Sequence, residues 1–314
     1  MTNIEFVFNG GLGNQIFQFL ASNEISNNCK TIDLNYSLSN YIISGERNFD
    51  LNQLLIKPII VDTNNSNFRD EISSKIINRI PLLNQQHKSK IKFKLNVLNN
   101  LYFEDNEINY FNDPLLKLIK DINSLQYKKK RLKIYGFWQN PTSYLSNLKD
   151  SIDFLIDTKE LIPRSIESNN YITIHIRRED YYSRKDIIDF YFSKFSPVEY
   201  ILLSLKLIPN EYQNMPIFLL SDDKSWSNKL TNILSNSLRR KINVIKTANH
   251  FEDWAILRHA TINICSNSTF SFTAALLNNE NKDRKLRCIV PQWINKEETA
   301  YKKGWLEPDG FIEI

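Results

Sequence analysis

The second half of this 314-residue chain alternates short apolar runs with longer amphipathic segments. The apolar runs predict strands, because strands of a parallel sheet are buried on both faces. The segments between them predict helices, and the alternation is typical of βαβ units. The predicted strands cover residues 171–176, 216–220, 242–245, 261–265 and 286–290, and the predicted helices cover residues 197–207, 225–234, 250–259 and 268–278.

The first half starts with the same pattern and then becomes irregular up to about residue 125. Its predicted elements are strands over 4–8, 31–34 and 131–137, a helix that follows the first strand, and a helix over 141–155. The polar, proline-marked segment 157–164 resembles an interdomain connection. The length fits two domains. We therefore predict two α/β domains, residues 1–160 and 161–314, with ligands bound in the cleft between them at the carboxyl ends of the strands.

Composition narrows the functional classes. The chain has no run of about 18 apolar residues and no signal-peptide pattern at its start, which predicts a cytoplasmic protein. Three dispersed cysteines favour a reducing compartment, and four histidines without paired spacing argue against a catalytic transition metal. The net charge of +5 suits an anionic ligand or membrane. The basic runs 87–94 and 128–131 have two readings, a solvated surface or a peripheral contact with anionic lipid.

Three of the seven glycines lie together at the first strand-to-helix turn: Gly10, Gly11 and Gly13. Glycine permits positive φ and close approach of a ligand to the backbone, and a helix N-terminus attracts anions. Two interpretations stay open, a turn that faces a phosphate or sugar and a tight turn that only packs a helix on a sheet. The spacing matches neither the dinucleotide nor the P-loop fingerprint.

Two adjacent arginines, Arg177 and Arg178, follow the predicted strand 171–176. Arginine pairs with phosphate through its planar fork, and ligands bind at the carboxyl ends of parallel strands. Because neighbouring side chains on a strand point to opposite faces, one arginine is expected to face the ligand. The other is expected to pair with Glu179 or Asp180. A strand end held by salt bridges is the alternative.

Two further predicted strands end in polar clusters. Ser221, Asp222 and Asp223 follow one strand, where they could bind a nucleoside, hold a metal or cap the next helix. From the residues alone, capping is the favoured role. The segment 266–271 follows the other strand and offers hydroxyl groups at a helix start, either as an anion cradle or as a serine-rich cap. The arginines and this segment together fit a diphosphate.

The chain resembles the α-1,2-fucosyltransferases of glycosyltransferase family 11. The resemblance rests on five motifs that occur in the family's order: residues 10–18 (GGLGNQIFQ), 136–139 (GFWQ), 175–181 (HIRREDY), 221–223 (SDD) and 267–271 (NSTFS). The first and third motifs are specific in combination, and the others support them. The family resemblance implies a GT-B fold with two Rossmann-like domains and the active site in the cleft between them.

The resemblance also implies the chemistry. The donor would be GDP-β-L-fucose, transferred with inversion to the 2-hydroxyl of a galactose-type acceptor in a surface glycan, either free or lipid-linked, with neither metal nor other cofactor. Arg177 would hold the pyrophosphate and Asn14 would take part in catalysis from the glycine turn. The remaining residues implied for donor binding are Gly11, Gly13, Gln15, His175, Arg178, Asp222, Asn267, Ser268, Thr269, Phe270 and Ser271.

The mechanism suggested by the residues agrees with this reading. Negative charge grows on the β-phosphate as the glycosidic bond breaks, and a fixed guanidinium with helix N–H groups can stabilise it. A general base is left unassigned, with Glu179 and Asp180 as the nearest candidates. Two alternatives stay open, a glycosyltransferase that uses another sugar nucleotide and a non-catalytic nucleotide- or polyanion-binding protein. No nucleic-acid-binding motif is present, so no nucleic-acid partner is predicted.

Overall fold

The computed structural model describes residues 2–30, 32–39, 47–62, 101–104, 114–124, 131–136, 138, 153–166, 170–178, 195–278, 285–291 and 310–314. The chain forms two compact units, Met1–Gln139 and Asn140–Ile314. The sequence analysis predicts a boundary after residue 160, so residues 140–160 belong to the first domain in that prediction and to the second unit in the structure. Arg258 explains the attachment of this segment to the second unit, because its Nη1 donates to Ile156 O at 3.3 Å and to Thr158 Oγ1 at 3.1 Å.

The first unit is built on a parallel five-stranded sheet with the order β3-β2-β1-β5-β4. Its described strands are β1 (Thr2–Phe8), β2 (Ile32–Leu38), β3 (Val61–Asp62), β4 (Leu101–Glu104) and β5 (Arg131–Tyr135), and its described helices are α1 (Leu12–Asn28) and α2 (Pro114–Asn123).

Apolar burial and one internal ion pair hold this sheet together. Ile4, Phe6 and Phe8 alternate along β1 and are fully buried, which contributes roughly 1.5–3 kcal/mol per side chain. Glu5, on the other face of β1, lies 3.0 Å from Lys133 Nζ of β5, and both side chains are buried. Because β5 and β1 are adjacent, this pair joins the two central strands.

The second unit is built on a parallel six-stranded sheet with the order β11-β10-β9-β6-β7-β8. Its strands are β6 (Ile172–Ile176), β7 (Ile217–Ser221), β8 (Ile242–Val244), β9 (Ile262–Cys265), β10 (Cys288–Val290) and β11 (Phe311–Glu313), and its described helices are α3 (Pro197–Lys206), α4 (Lys224–Leu238), α5 (His250–Arg258) and α6 (Thr269–Leu276).

In each sheet the first strands are added on one side of the starting strand, and the later strands are added on its other side. In the first unit, β2 and β3 lie on one side of β1 and β5 lies on the other side. In the second unit, β7 and β8 lie on one side of β6 and β9 lies on the other side. Ligands of open α/β sheets bind beyond the carboxyl ends of the strands at such switch points. The sheet order therefore selects the loops after β1 and β5, and those after β6 and β9.

The α/β prediction with parallel sheets is confirmed, and every predicted strand of the second unit is present. The sequence interpretation missed β3, β4, α2 and β11. Helix α2 had a readable signal, since its buried Leu115, Leu118, Ile119 and Ile122 follow the spacing of a helical face. The helix predicted over 141–155 is wrong at residues 153–155, which form a turn and an isolated bridge, and its other residues lie outside the described ranges.

Candidate functional site

The glycine turn contains one residue that requires glycine for its backbone. Gly10 has a φ of +77°, and a Cβ placed on it would lie 2.5 Å from Nδ2 of Asn14. Gly11 is extended (φ −80°, ψ 178°) and is the N-cap of α1, and a Cβ there would meet no atom within 4 Å. Gly13 is buried within the first turn of α1. The Asn14 side chain therefore lies against Gly10, where a larger residue would displace it.

Gln15 has a structural role in this turn. Its Nε2 donates to Gly10 O at 2.9 Å and to Asn48 O at 2.8 Å, and its Oε1 accepts from the backbone N–H groups of Asp50 and Leu51. An amide side chain has two donor hydrogens and two acceptor lone pairs. All four are used by backbone groups, so Gln15 fixes the turn against residues 48–51.

Gln18 joins the two loops at the switch point of the first sheet. Its Oε1 accepts from Asn9 N at 3.0 Å, and its Nε2 donates to Gly136 O at 2.7 Å. Trp138, two residues further on, is buried with a φ of +52°, which is rare for a bulky residue. The motifs 10–18 and 136–139 are thus brought together, although Phe137 and Gln139 lie outside the described residues. Sequence reasoning had given Gln18 no role.

Arg177 stands at the carboxyl end of β6, beside the switch point of the second sheet. Its backbone N–H donates to Ser266 Oγ at 3.1 Å, and its Nε lies 3.2 Å from Asp222 Oδ2. Ser266 follows β9 and Asp222 follows β7, the two strands that flank β6. The three polar strand ends that the sequence predicted to be close are therefore in contact. Ser266 belongs to the predicted hydroxyl segment 266–271, but the residues implied for donor binding begin at Asn267.

Arg178 braces the start of α4. Its Nε lies 2.9 Å from Asp223 Oδ2, and its guanidinium carbon lies 4.5 Å from the ring centroid of Trp226. The sequence had expected one arginine to pair with Glu179 or Asp180. Those two residues lie outside the described ranges, so this pairing stays a prediction; the described partners of Arg178 follow β7, the neighbouring strand.

Asp223 caps α4, as the sequence favoured for this cluster. Its Oδ1 accepts from Trp226 N at 2.9 Å. This hydrogen bond is the main cause that lowers the pKa of the Asp223 carboxyl, with smaller contributions from Ser225 and Arg178. Arg177 and Arg178 together form the arginine segment. Asp223 caps α4 and pairs with Arg178, whereas Asp222 pairs with Arg177.

His175 is buried beneath this site and is neutral. Its ring lies 5.6 Å from the Phe270 ring, and its Nδ1 lies 3.4 Å from Ser266 Oγ. Burial, followed by the nearby Arg177 charge, lowers the pKa of His175 to about 3. It therefore carries no charge at neutral pH and packs between the arginine segment and the start of α6.

This burial predicts a loss of stability in mild acid. Below the ordinary pKa of 6.5 the unfolded chain binds a proton at His175 that the folded protein does not bind until about pH 3. The stabilisation is thus fully present above pH 6.5 and is lost as the pH falls towards 3, by about 1.4 kcal/mol per pH unit. Urea unfolding between pH 7 and 5 should be measured for the wild type and for His175→Gln. The variant should show the shallower decline, and identical slopes would contradict the prediction.

Helix α6 begins beside the arginines with its N-terminus uncapped by a side chain. Its N-cap Ser268 makes no side-chain cap hydrogen bond. Just before it, Asn267 Oδ1 is shielded from solvent and has no hydrogen-bond partner among the described residues. A helix N-terminus with free N–H groups favours an anion. The other predicted residues of this segment, Thr269, Phe270 and Ser271, form the first turn of α6.

The described residues show neither a metal-binding cluster nor a membrane-spanning helix. They contain no cluster of three or more His, Cys, Asp or Glu side chains that could hold a metal ion. Within the same ranges, no helix has the length and apolar character that crossing a membrane requires.

Comparison with known proteins identifies the family. The model of glycosyl transferase family 11 matches residues 3–308. The chain belongs to glycosyltransferase family 11. An Escherichia coli alpha-1,2-colitosyltransferase is 27% identical over 229 residues, which cover 65% of this chain and 77% of that protein. The E. coli O-antigen biosynthesis glycosyltransferase WbnK is 25% identical over 321 residues, 91% of this chain and 98% of that protein.

Solved structures of other glycosyltransferases also align with this family 11 chain. POFUT1 in complex with GDP aligns over 91% of this chain and 97% of its own, with 12% identity and a TM-score of 0.45. E. coli heptosyltransferase WaaC with ADP aligns over 100% and 92%, with 11% identity and a TM-score of 0.44.

Proposed function

We propose that this family 11 enzyme transfers L-fucose from GDP-β-L-fucose to the 2-hydroxyl of a galactose-type acceptor in a surface glycan. The observation that carries the proposal is that Arg177 is joined, at the switch point of the second sheet, to the segment that leads into α6: its backbone N–H donates to Ser266 Oγ, two residues before the N-cap Ser268. An arginine and a helix N-terminus that follow two adjacent strand ends suit a diphosphate. The two relatives support a glycan acceptor and, in one case, an α-1,2 linkage.

In this proposal Arg177 stabilises the leaving group. The bond between the anomeric carbon and the β-phosphate oxygen breaks while the acceptor oxygen bonds to that carbon and loses its proton. Negative charge develops on the phosphate, next to the guanidinium and the N–H groups of α6. An N–H group of the nucleotide base or a ribose hydroxyl would donate a hydrogen bond to the shielded Asn267 Oδ1.

The buried histidine is a poor candidate for the general base. A base with a pKa of about 3, as for His175, has little affinity for the proton of a sugar hydroxyl at neutral pH. Glu179 and Asp180 remain the candidates from the sequence, and both lie outside the described residues.

A second donor has a specific observation in its favour. The 27% identical relative is an alpha-1,2-colitosyltransferase, and colitose is a different sugar from fucose. A transferase that moves nucleotide-activated colitose would use the same diphosphate site. The polyanion-binding alternative has less support, because family 11 membership extends over both units.

A transfer assay distinguishes these donors. The protein should be incubated with GDP-fucose and a set of β-galactosides, and separately with nucleotide-activated colitose, while GDP release and product linkage are measured. We expect acceptor-dependent GDP release and an α-1,2-linked fucoside. Turnover of the colitosyl donor alone would assign the second function, and salt-sensitive RNA binding without turnover would favour a polyanion-binding protein.

Transfer should not need a divalent cation. Arg177 and the start of α6 can together neutralise a departing diphosphate. Activity is therefore expected to be unchanged after EDTA treatment and desalting. Complete loss that is restored by Mg²⁺ or Mn²⁺ would contradict this and would point to Asp222 and Asp223 as metal ligands.

A cytoplasmic site of action and a peripheral contact with anionic lipid are also part of the proposal. Of the basic runs that suggest the lipid contact, residues 87–94 and 128–130 lie outside the described residues, and Arg131 begins β5. Sedimentation with anionic vesicles would test this part directly.

A further inference from the structure

Side chains from both neighbouring strands hold the backbone at the end of β6. Ser266, after β9, accepts a hydrogen bond from Arg177 N at 3.1 Å. Asp222, after β7, accepts one from Arg178 N at 2.8 Å through its Oδ1. These bonds extend the lateral ties of the sheet beyond its last ladder pair. The arginine segment is therefore fixed from two sides at the point where the strand ends.

The same aspartate also contacts the guanidinium. Asp222 Oδ2 lies 3.2 Å from Arg177 Nε in an ion pair that does not have hydrogen-bond geometry; the oxygen is shielded from solvent, whereas the arginine side chain is 30% exposed. The pair is only partly buried, so its attraction is screened by solvent less than that of a fully exposed pair. Pairing at Nε is compatible with phosphate binding through the two Nη atoms, since the fork presents several donors. One carboxylate thus restrains both the backbone and the long side chain of the arginine segment.

Ser266 has a second neighbour that limits its motion. It is buried, and its hydroxyl lies 3.4 Å from Nδ1 of the neutral His175. A hydroxyl can accept from one group while it donates to another. Ser266 is thus suited to accept from Arg177 N while its hydroxyl also lies within hydrogen-bond distance of the imidazole.

We propose that Asp222 and Ser266 are positioning residues for Arg177, and that Asp222 acts through the arginine instead of through the guanosine. The inference rests on the proposed role of Arg177 at the diphosphate. A donor lowers a barrier most when it already points to where charge develops, and a flexible arginine alone does not meet that condition. Asp222 orients its guanidinium, and Ser266 holds its backbone.

A ligand without a nucleobase distinguishes the two possible roles of Asp222. If Asp222 positions Arg177, its loss weakens pyrophosphate binding; if it contacts the guanosine, pyrophosphate binding is unchanged. The test measures the affinity of the full-length protein for inorganic pyrophosphate and for GDP by calorimetry. The key variant is Asp222→Asn, which keeps an oxygen for Arg178 N and removes the charge at Arg177. The matched control is Asp223→Asn, which removes a neighbouring charge and keeps an acceptor for the α4 cap.

Positioning predicts that pyrophosphate and GDP both bind about tenfold more weakly to Asp222→Asn than to Asp223→Asn, a normal size for coupled contacts. The difference should disappear when Arg177→Ala is present in both variants. Ser266→Ala should likewise weaken both ligands only while Arg177 is intact. Thermal unfolding of each variant establishes that it is folded, and the isosteric Asp222→Asn decides the matter if Ser266→Ala does not fold.

Several results would overturn the inference. A loss for GDP with unchanged pyrophosphate affinity would mean that Asp222 contacts the nucleoside. Unchanged affinity of Asp222→Asn for both ligands would show that Asp222 does not act through the arginine. The same conclusion would follow if Asp222→Asn weakened binding equally in the wild-type and Arg177→Ala backgrounds. A wild-type protein that shows the expected affinities but transfers no fucose would instead refute the proposed donor and leave the positioning role standing.

Discussion

Replacing Arg177 by alanine is expected to lower kcat/KM for sugar transfer by about 10²–10³-fold, the usual effect of removing a preorganised donor aimed at developing charge. Arg177 lies at the carboxyl end of β6, between Asp222 and Ser266, so its guanidinium is already restrained. Arg177→Lys should restore little activity, because an ammonium group cannot reproduce a planar fork. Steady-state kinetics and GDP-induced thermal stabilisation should be measured for both variants.

The control for this experiment is Arg164→Ala, which removes an exposed arginine of the same unit. It should leave kcat/KM unchanged, which separates the specific loss from a general effect of net charge. Full activity and full stabilisation by GDP in Arg177→Ala would refute its assignment to the diphosphate. If Arg178→Ala showed the larger loss instead, the site would stand with the roles of the two arginines exchanged.

Replacing Gly10 by alanine is expected to reduce transfer by about 10²-fold, as small displacements of a catalytic group can do. The added Cβ would lie 2.5 Å from Asn14 Nδ2 and would force that side chain to move. The positive φ adds a backbone cost of about 1–2 kcal/mol to folding. Urea unfolding and kcat/KM together measure both effects.

Gly11→Ala is the matched control for stability. Gly11 has an extended backbone, and its added Cβ meets no atom within 4 Å. Its free energy of unfolding should therefore change by no more than about 0.5 kcal/mol. Equal stability of the two variants would show that the turn tolerates a side chain at Gly10. If Gly10→Ala transferred the sugar at the wild-type rate, the glycine turn would only pack α1 on the sheet and would have no role in transfer.

Much of the second unit could be predicted because its strands are buried on both faces. The Ile172–Ile176 strand is entirely buried, and in the sequence it stands out as an apolar run that is followed by two arginines. The edges of the sheets were harder to predict. Strand β3 has two residues and β11 has three, and both lie at a sheet edge, where partial exposure weakens the apolar pattern.

The chemistry of the site was predictable in its residue types but not in its pairings. The expected pairing of one arginine with Glu179 or Asp180 falls outside the described residues, but the partner that the structure does describe for Arg178, Asp223, is 45 residues away and was not predicted. Gln15 was expected at the donor, whereas its amide holds backbone groups 33 to 36 residues away, together with Gly10. Sequence reasoning sees local neighbours, and these partners become close only when the strands are ordered in the sheet.

The sequence by itself determined the alternation of strands and helices, the glycine turn at residues 10–13 and the polar groups at three strand ends. These features follow from local periodicity and from the backbone freedom of glycine. Only the tertiary structure decided that β9 and β7 flank β6, and hence that Ser266 and Asp222 both reach the arginine segment. Strand order depends on how whole βαβ units pack, so it is not contained in the pattern of any one segment.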